Sequence, residues 1–210
     1  MESTDKKTQI LEVAQKLFAK NGFDGTSVRD IAKEADVNIA MISYYFGSKE
    51  KLLEAVFEKH SNYIRLQLES LIADDKMEPM QKVYQLIDSY LQKYFGQMSF
   101  HKIVLREQMA NKLSCATDML LEMKRRNQEL VKQIIKEGQK KGVFKKNIDI
   151  PMMMATMLGT ANQVMTTLPF YKEVNNLADM PEEEFQKLIK KKLTLHLKSI
   201  FKAILTYEEQ

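Results

Sequence analysis

The chain has no tryptophan, four prolines and seven glycines in 210 residues. Sheet-rich domains need many tight turns, so a chain this poor in turn residues and with 29% charged residues is expected to be helix-rich and globular. A single cysteine, Cys115, excludes an internal disulfide and fits a reducing cytoplasm. Its neighbours Leu113, Ala116 and Met119 make it read as a buried, inert thiol. No apolar run approaches membrane-spanning length, and the opening MESTDKKTQ lacks the apolar core of a signal peptide, so a soluble cytoplasmic protein with no membrane partner is expected. There is no glycine-rich phosphate loop, no paired-cysteine metal spacing and no His-Glu-x-x-His. His60, His101 and His196 are far apart in sequence and read as surface or boundary residues. No catalytic constellation, metal or cofactor is therefore expected. Neither sign of charge dominates, with 32 basic against 28 acidic residues and a formal charge of +4. Any affinity for nucleic acid must rest on locally placed groups.

One stretch carries such groups. In Ser27 to Lys51, SVRDIAKEADVNIAMISYYFGSKEK, Ser27 and Asp30 have the spacing of a capping box. Val28, Ile31, Ala32 and Ala35 follow at helical spacing, and Asp36 suits a chain reversal. Asn38 can cap a second short helix that turns Ile42 and Phe46 inward. Gly47 can end that helix, and Ser48 can cap a third. Two short helices about a tight turn form a helix-turn-helix, which sets its second helix in the DNA major groove. Ala40, Met41, Ser43, Tyr44 and Tyr45 are left for the surface of that helix. Adjacent exposed tyrosines suit a groove, where the hydroxyl meets phosphate and the ring packs on sugar or a thymine methyl.

The segment TSVRDIAKEADVNIAMISYYFGSKEKLL closely resembles the signature of the TetR family of bacterial one-component transcription regulators. Two positions depart from the family pattern: Asp36 stands where glycine is usual, and Ala40 where glycine is frequent. The resemblance implies a homodimer that binds a palindromic double-stranded operator and represses transcription until a small molecule binds. On this reading Thr26, Ser27, Tyr45, Lys49 and Lys51 are phosphate contacts, and Arg29, Ala40, Met41, Ser43 and Tyr44 meet base edges.

Other stripes complete the chain. Ile10, Ala14, Leu17 and Phe18 predict a first helix ending at Asn21-Gly22, and Leu52 to Leu71 a long helix from Ser48. Asp75 with Glu78 forms a second possible capping box before Pro79, and Val83 to Tyr94 a stripe closed by Gly96. Helices are expected around Phe100–Asn111 and Thr117–Lys141, the latter carrying a Lys124-Arg125-Arg126 cluster that reads as a solvated face. Asp149-Ile-Pro151 and Asp179-Met-Pro-Glu182 mark the starts of the last two. Both are apolar round more of their circumference than one contact uses, so two copies of the pair are expected to form a four-helix dimer interface. Its expected residues are Met153, Met157, Ala161, Phe185, Leu188, Leu195, Ile200 and Phe201.

The expected fold is all-α with about nine helices: an N-terminal three-helix helix-turn-helix domain (1–48) and a C-terminal helical ligand-binding and dimerisation domain (49–210). In TetR-like proteins the helices carrying Tyr90, Tyr94, Met98, Phe100, Met109, Met119, Met123 and Met165 enclose a ligand cavity, and such a lining suits an apolar effector. The alternative is an adaptor that binds DNA or a protein partner without an inducer.

Overall fold

The computed structural model describes residues 2–109 and 115–207. Its described residues form ten α-helices and no strand. They are α1 (Glu2–Asn21), α2 (Val28–Glu34), α3 (Ile39–Phe46), α4 (Lys49–Ala73), α5 (Pro79–Gly96), α6 (Met98–Met109), α7 (Cys115–Lys140), α8 (Ile150–Thr166), α9 (Leu168–Val174) and α10 (Glu182–Leu205). The expected all-α fold is thus present. The helix beyond the expected nine is the seven-residue α9, opened by Pro169 in its first turn and too short to leave a periodic stripe. Among the described residues, no helix is long and apolar enough to cross a membrane.

Four helix starts are set by local side chains. Ser27 and Asp30 complete their capping box, Asn38 Oδ1 accepts from Ala40 N at 2.9 Å, and Ser48 Oγ accepts from Lys51 N at 3.2 Å. Asp149 Oδ1 accepts from Met152 N at 3.0 Å. Two expected signals resolve differently. In the turn before α5 it is Asp74 Oδ1 that accepts, from Lys76 N and Met77 N at 3.0 and 3.1 Å. The box expected at Asp179 and Glu182 does not cap α10, whose N-cap is Pro181 without a side-chain bond. The Glu182 carboxylate is drawn off by Lys172 Nζ at 2.7 Å and Gln186 Nε2 at 2.6 Å.

The chain divides into two compact units, residues 1–64 with 96–126, and residues 65–95 with 127–210. This division is not the one expected at residue 48. The core of the first unit explains why: Ile10, Ala14 and Phe18 of α1, Ile31 and Ala35, Ile42 of α3, and Leu52, Leu53, Val56 and Phe57 of α4 form one cluster with Phe100 and Ile103 of α6 and Leu120 of α7. Three helices in so small a domain leave apolar surface open, and the neighbouring helices close it. His60, expected at a surface or boundary, is buried in this unit, its Nε2 2.9 Å from Gln15 Oε1 and its ring stacked on Phe100.

In the second unit, α10 buries every fourth residue: Phe185, Ile189, Leu193, Leu197, Phe201 and Leu205. α8 does the same with Met153, Met157, Ala161 and Met165. Leu68 and Leu71 of α4, Val83, Ile87 and Leu91 of α5, and Val131, Ile134 and Ile135 of α7 are further buried apolar residues. Gly138 is needed where it stands, because a Cβ there would overlap the Phe144 ring.

Candidate nucleic-acid interface

The first unit holds α3 by its back. Ile42 is 1% exposed, Phe46 is half-buried, and Met41 and Tyr45 pack partly against the same core. Ala40 and Ser43 remain exposed, and Tyr44 projects with 82% of its surface in solvent. The Tyr44 and Tyr45 rings meet edge to face at 5.1 Å.

The turn between α2 and α3 is fixed by its backbone. Asp36 adopts φ +48°, the left-handed conformation that a short side chain tolerates, and Val37 N donates to Ala32 O at 3.0 Å. From α1, Gln9 Nε2 reaches Ala35 O at 3.0 Å and closes the end of α2. At the start of α2, the Ser27 hydroxyl and backbone N–H hold the Asp30 carboxylate below its ordinary pKa. Arg29 and Ser27 are exposed there.

Two expected phosphate contacts face inward. Thr26 is 1% exposed, and its hydroxyl donates to Gly22 O at 2.8 Å. Lys49 Nζ donates to Phe23 O at 2.9 Å and Thr26 O at 3.0 Å and lies 4.2 Å from the Phe23 ring centroid. Two of its three N–H donors thus clamp the loop between α1 and α2 onto α4. Lys51 is exposed and paired with Glu54 at 2.7 Å.

This arrangement, a buried-backed helix offering hydroxyls and an aromatic ring, agrees with similarity to known proteins. Residues 10–56 match the family described as bacterial regulatory proteins, tetR family, and residues 76–166 match a tetracyclin repressor-like C-terminal domain. The HTH-type transcriptional repressor NicS of Pseudomonas putida is 32% identical over 177 residues, 82% of each chain. The chain belongs to the TetR family of bacterial transcriptional regulators. A probable acrEF/envCD operon repressor of Escherichia coli K12 is 24% identical over 204 residues, covering 90% of this chain and 93% of that one. The transcriptional regulator FadR from Bacillus subtilis, solved with stearoyl-CoA, shares the fold with a TM-score of 0.67 at 22% identity, over 91% of this chain and 97% of that one. The protein is accordingly a TetR-family DNA-binding transcriptional regulator with a helix-turn-helix and a helical C-terminal domain.

The eight residues expected to line a ligand cavity in this TetR-family regulator fall into separate surroundings. Within the first unit, Phe100 is core, Met109 is 76% exposed, and Met98 is half-buried. Met119 and Met123 line an open cavity of about 710 Å³ between α4 and α7. Phe57 and Ser61 lie on its α4 side, and Glu58, Asp118, Glu122, Arg125 and Arg126 bring charges of both signs. Arg126 donates to Ser61 Oγ at 2.6 Å, so part of the basic cluster read as a solvated face is built into this wall. The spacing of Asp118, Glu122 and Arg125 on one face of α7 was the available signal. Within the second unit, the Tyr90 and Tyr94 rings lie 5.8 Å apart, Tyr94 donates to Asn162 Oδ1 at 2.6 Å, and Met165 is buried. The expected burial of the Cys115 thiol, beside Leu113, lies outside the described residues.

The residues expected at a dimer interface also divide. Met153, Met157, Ala161, Phe185 and Phe201 are buried in the protomer's own second unit. Leu188 and Ile200 are half-buried, and Leu195 is 59% exposed. A one-residue shift along a helix turns a side chain about 100°, so the outward row of α8 holds none of the expected residues and that of α10 keeps only Leu188 and Leu195. On α8 the row is Met152, Ala155, Gly159 and Gln163, and on α10 Leu188, Leu195 and Ser199. A Cβ added at Gly159 meets nothing within 4 Å beyond its chain neighbours and the adjacent backbone of α8.

Proposed function

We propose that the protein is a repressor that sets two copies of α3 in successive major grooves of a palindromic operator and is released by a small amphiphilic molecule. The observation that carries the DNA half is Tyr44, a large aromatic exposed on a helix whose opposite face is buried. Tyr44, Ser43, Ala40 and Met41, with Arg29 at the start of α2, are the base-edge set. Ser27, Tyr45 and Lys51 serve the phosphates, while Thr26 and Lys49 hold the loop that presents them. One short helix contacts few base pairs, so specific binding requires two copies. We assign the pairing to the outward rows of α8 and α10, with Ala155 and Gly159 permitting close approach. The protein would act in the cytoplasm, where the DNA is.

The cavity between α4 and α7 supports the release half. Phe57, Met119 and Met123 suit an apolar body, and the carboxylates and guanidinium groups around them suit a polar end. That FadR of the same fold was solved with stearoyl-CoA is in keeping with an amphiphile. α4 is one uninterrupted helix that contributes to both compact units, so a ligand against Phe57 and Ser61 touches the element that also carries Leu52 and Leu53 of the helix-turn-helix core. Weakening operator binding about a hundredfold needs roughly 2.7 kcal/mol of ligand preference for the released form.

Footprinting on the DNA flanking the protein's own gene tests the first half. Thermal shift with fatty acids, acyl-CoA esters and uncharged hydrophobic compounds, followed by DNA-release assays, tests the second. Protection of an inverted repeat, and its loss with a binder, is the expected result. Binders that stabilise the protein yet leave it on DNA would favour an adaptor without an inducer.

A further inference from the structure

Lys7 lies outside the helix-turn-helix motif, near the start of α1, yet its ammonium is 5.7 Å from the centroid of Phe46, the last residue of α3. The residue is exposed, so its ammonium lies over the ring while staying open to solvent. Counting about 100° per residue, Tyr45 and Phe46 fall on opposite sides of the exposed Ala40–Ser43–Tyr44 face of α3. A helix with side chains is about 10–12 Å across and the major groove about 12 Å wide, so a seated helix brings each flank to one phosphate wall. Tyr45 lies towards one wall. On the Phe46 side Lys49 does not serve, since its amine is turned onto Phe23 O and Thr26 O.

We infer that Lys7 is a DNA-backbone contact, holding the phosphate wall on the Phe46 side of α3. This rests on the operator-binding role of α3. As a backbone contact, Lys7 adds affinity on any sequence and carries no base preference.

The test compares wild type, Lys7→Met and Lys7→Arg on two duplexes, an operator obtained by selection from random sequence and a random-sequence duplex of the same length. Lys7→Met removes the charge from an exposed position and keeps an unbranched side chain, so its melting temperature should stay close to wild type. Its affinity should fall about tenfold on both duplexes, and its plot of log affinity against log salt should be shallower by about two, one for each protomer. Lys7→Arg should restore both. Unchanged affinity and slope in Lys7→Met would reduce Lys7 to a packing contact and overturn the inference, as would a changed base preference at equal slope. If wild type selects no sequence, it is the operator reading that fails, and the slope on the random duplex still decides the role of Lys7.

Discussion

Lys49 is a lysine whose position along the chain and whose geometry point to different roles. It stands where the motif suggests a phosphate contact, yet its amine bridges Phe23 O and Thr26 O and covers the Phe23 ring. Phe23 in turn packs on Phe18 at 5.6 Å, so the clamp reaches the core. Lys49→Met would take the lysine donor from Thr26 O and leave Phe23 O with only the bond from Thr26 N at 3.3 Å, at a cost of about 1–3 kcal/mol. Denaturant unfolding should therefore show lower stability, while the salt dependence of DNA binding stays close to wild type. Full stability with a shallower salt slope would return Lys49 to the phosphates. The hydroxyl of Thr26, turned to Gly22 O, follows the same logic. In both cases the residue type was legible in the sequence and the direction of its polar atoms was not, because the acceptors are carbonyls exposed by the loop after α1.

At the scale of elements, the start of α2 rests on one reciprocal pair. Ser27→Ala removes the hydroxyl that caps Asp30 N at 3.1 Å and should cost about 1 kcal/mol, read by thermal or denaturant unfolding. The pH dependence has a definite sign. Asp30 is held below its ordinary pKa by the Ser27 hydroxyl and then the Ser27 backbone N–H, so its contribution is complete above the ordinary value and fades as pH falls through the lowered one. Ser27→Ala should therefore lose less stability than wild type on going to acid. Helix starts of this kind, at Ser27, Asn38, Ser48 and Asp149, were legible because the capping group is a neighbour in sequence. The box at Asp179 was not, because Lys172 of α9 competes for Glu182. Burial was legible as a pattern and not as a direction. α8 and α10 carry apolar residues on several faces, and only packing selects the rows starting at Met153 and Phe185 for the interior. The burial of His60 was not legible for a similar reason, since the Gln15 and Phe100 that accommodate it are 45 and 40 positions away along the chain.

At the scale of the whole molecule, two kinds of substitution on the same helices should behave differently. Phe201→Glu and Met157→Lys place a charge inside the protomer and should unfold or precipitate it. Ala155→Arg and Leu195→Arg change outward positions and should give a folded monomer by sedimentation, with wild-type helicity and no specific DNA binding. A folded dimer in the second pair would move the pairing surface elsewhere. The central claim, that α3 reads DNA sequence through Tyr44 and its neighbours, is tested most directly by selecting duplexes from a random pool with wild type and with Tyr44→Ala. The account predicts an inverted repeat for wild type, its half-sites one helical turn or a multiple apart, and a changed base at one position of each half-site for the variant. An identical selected sequence for both proteins, or none for wild type, would contradict it.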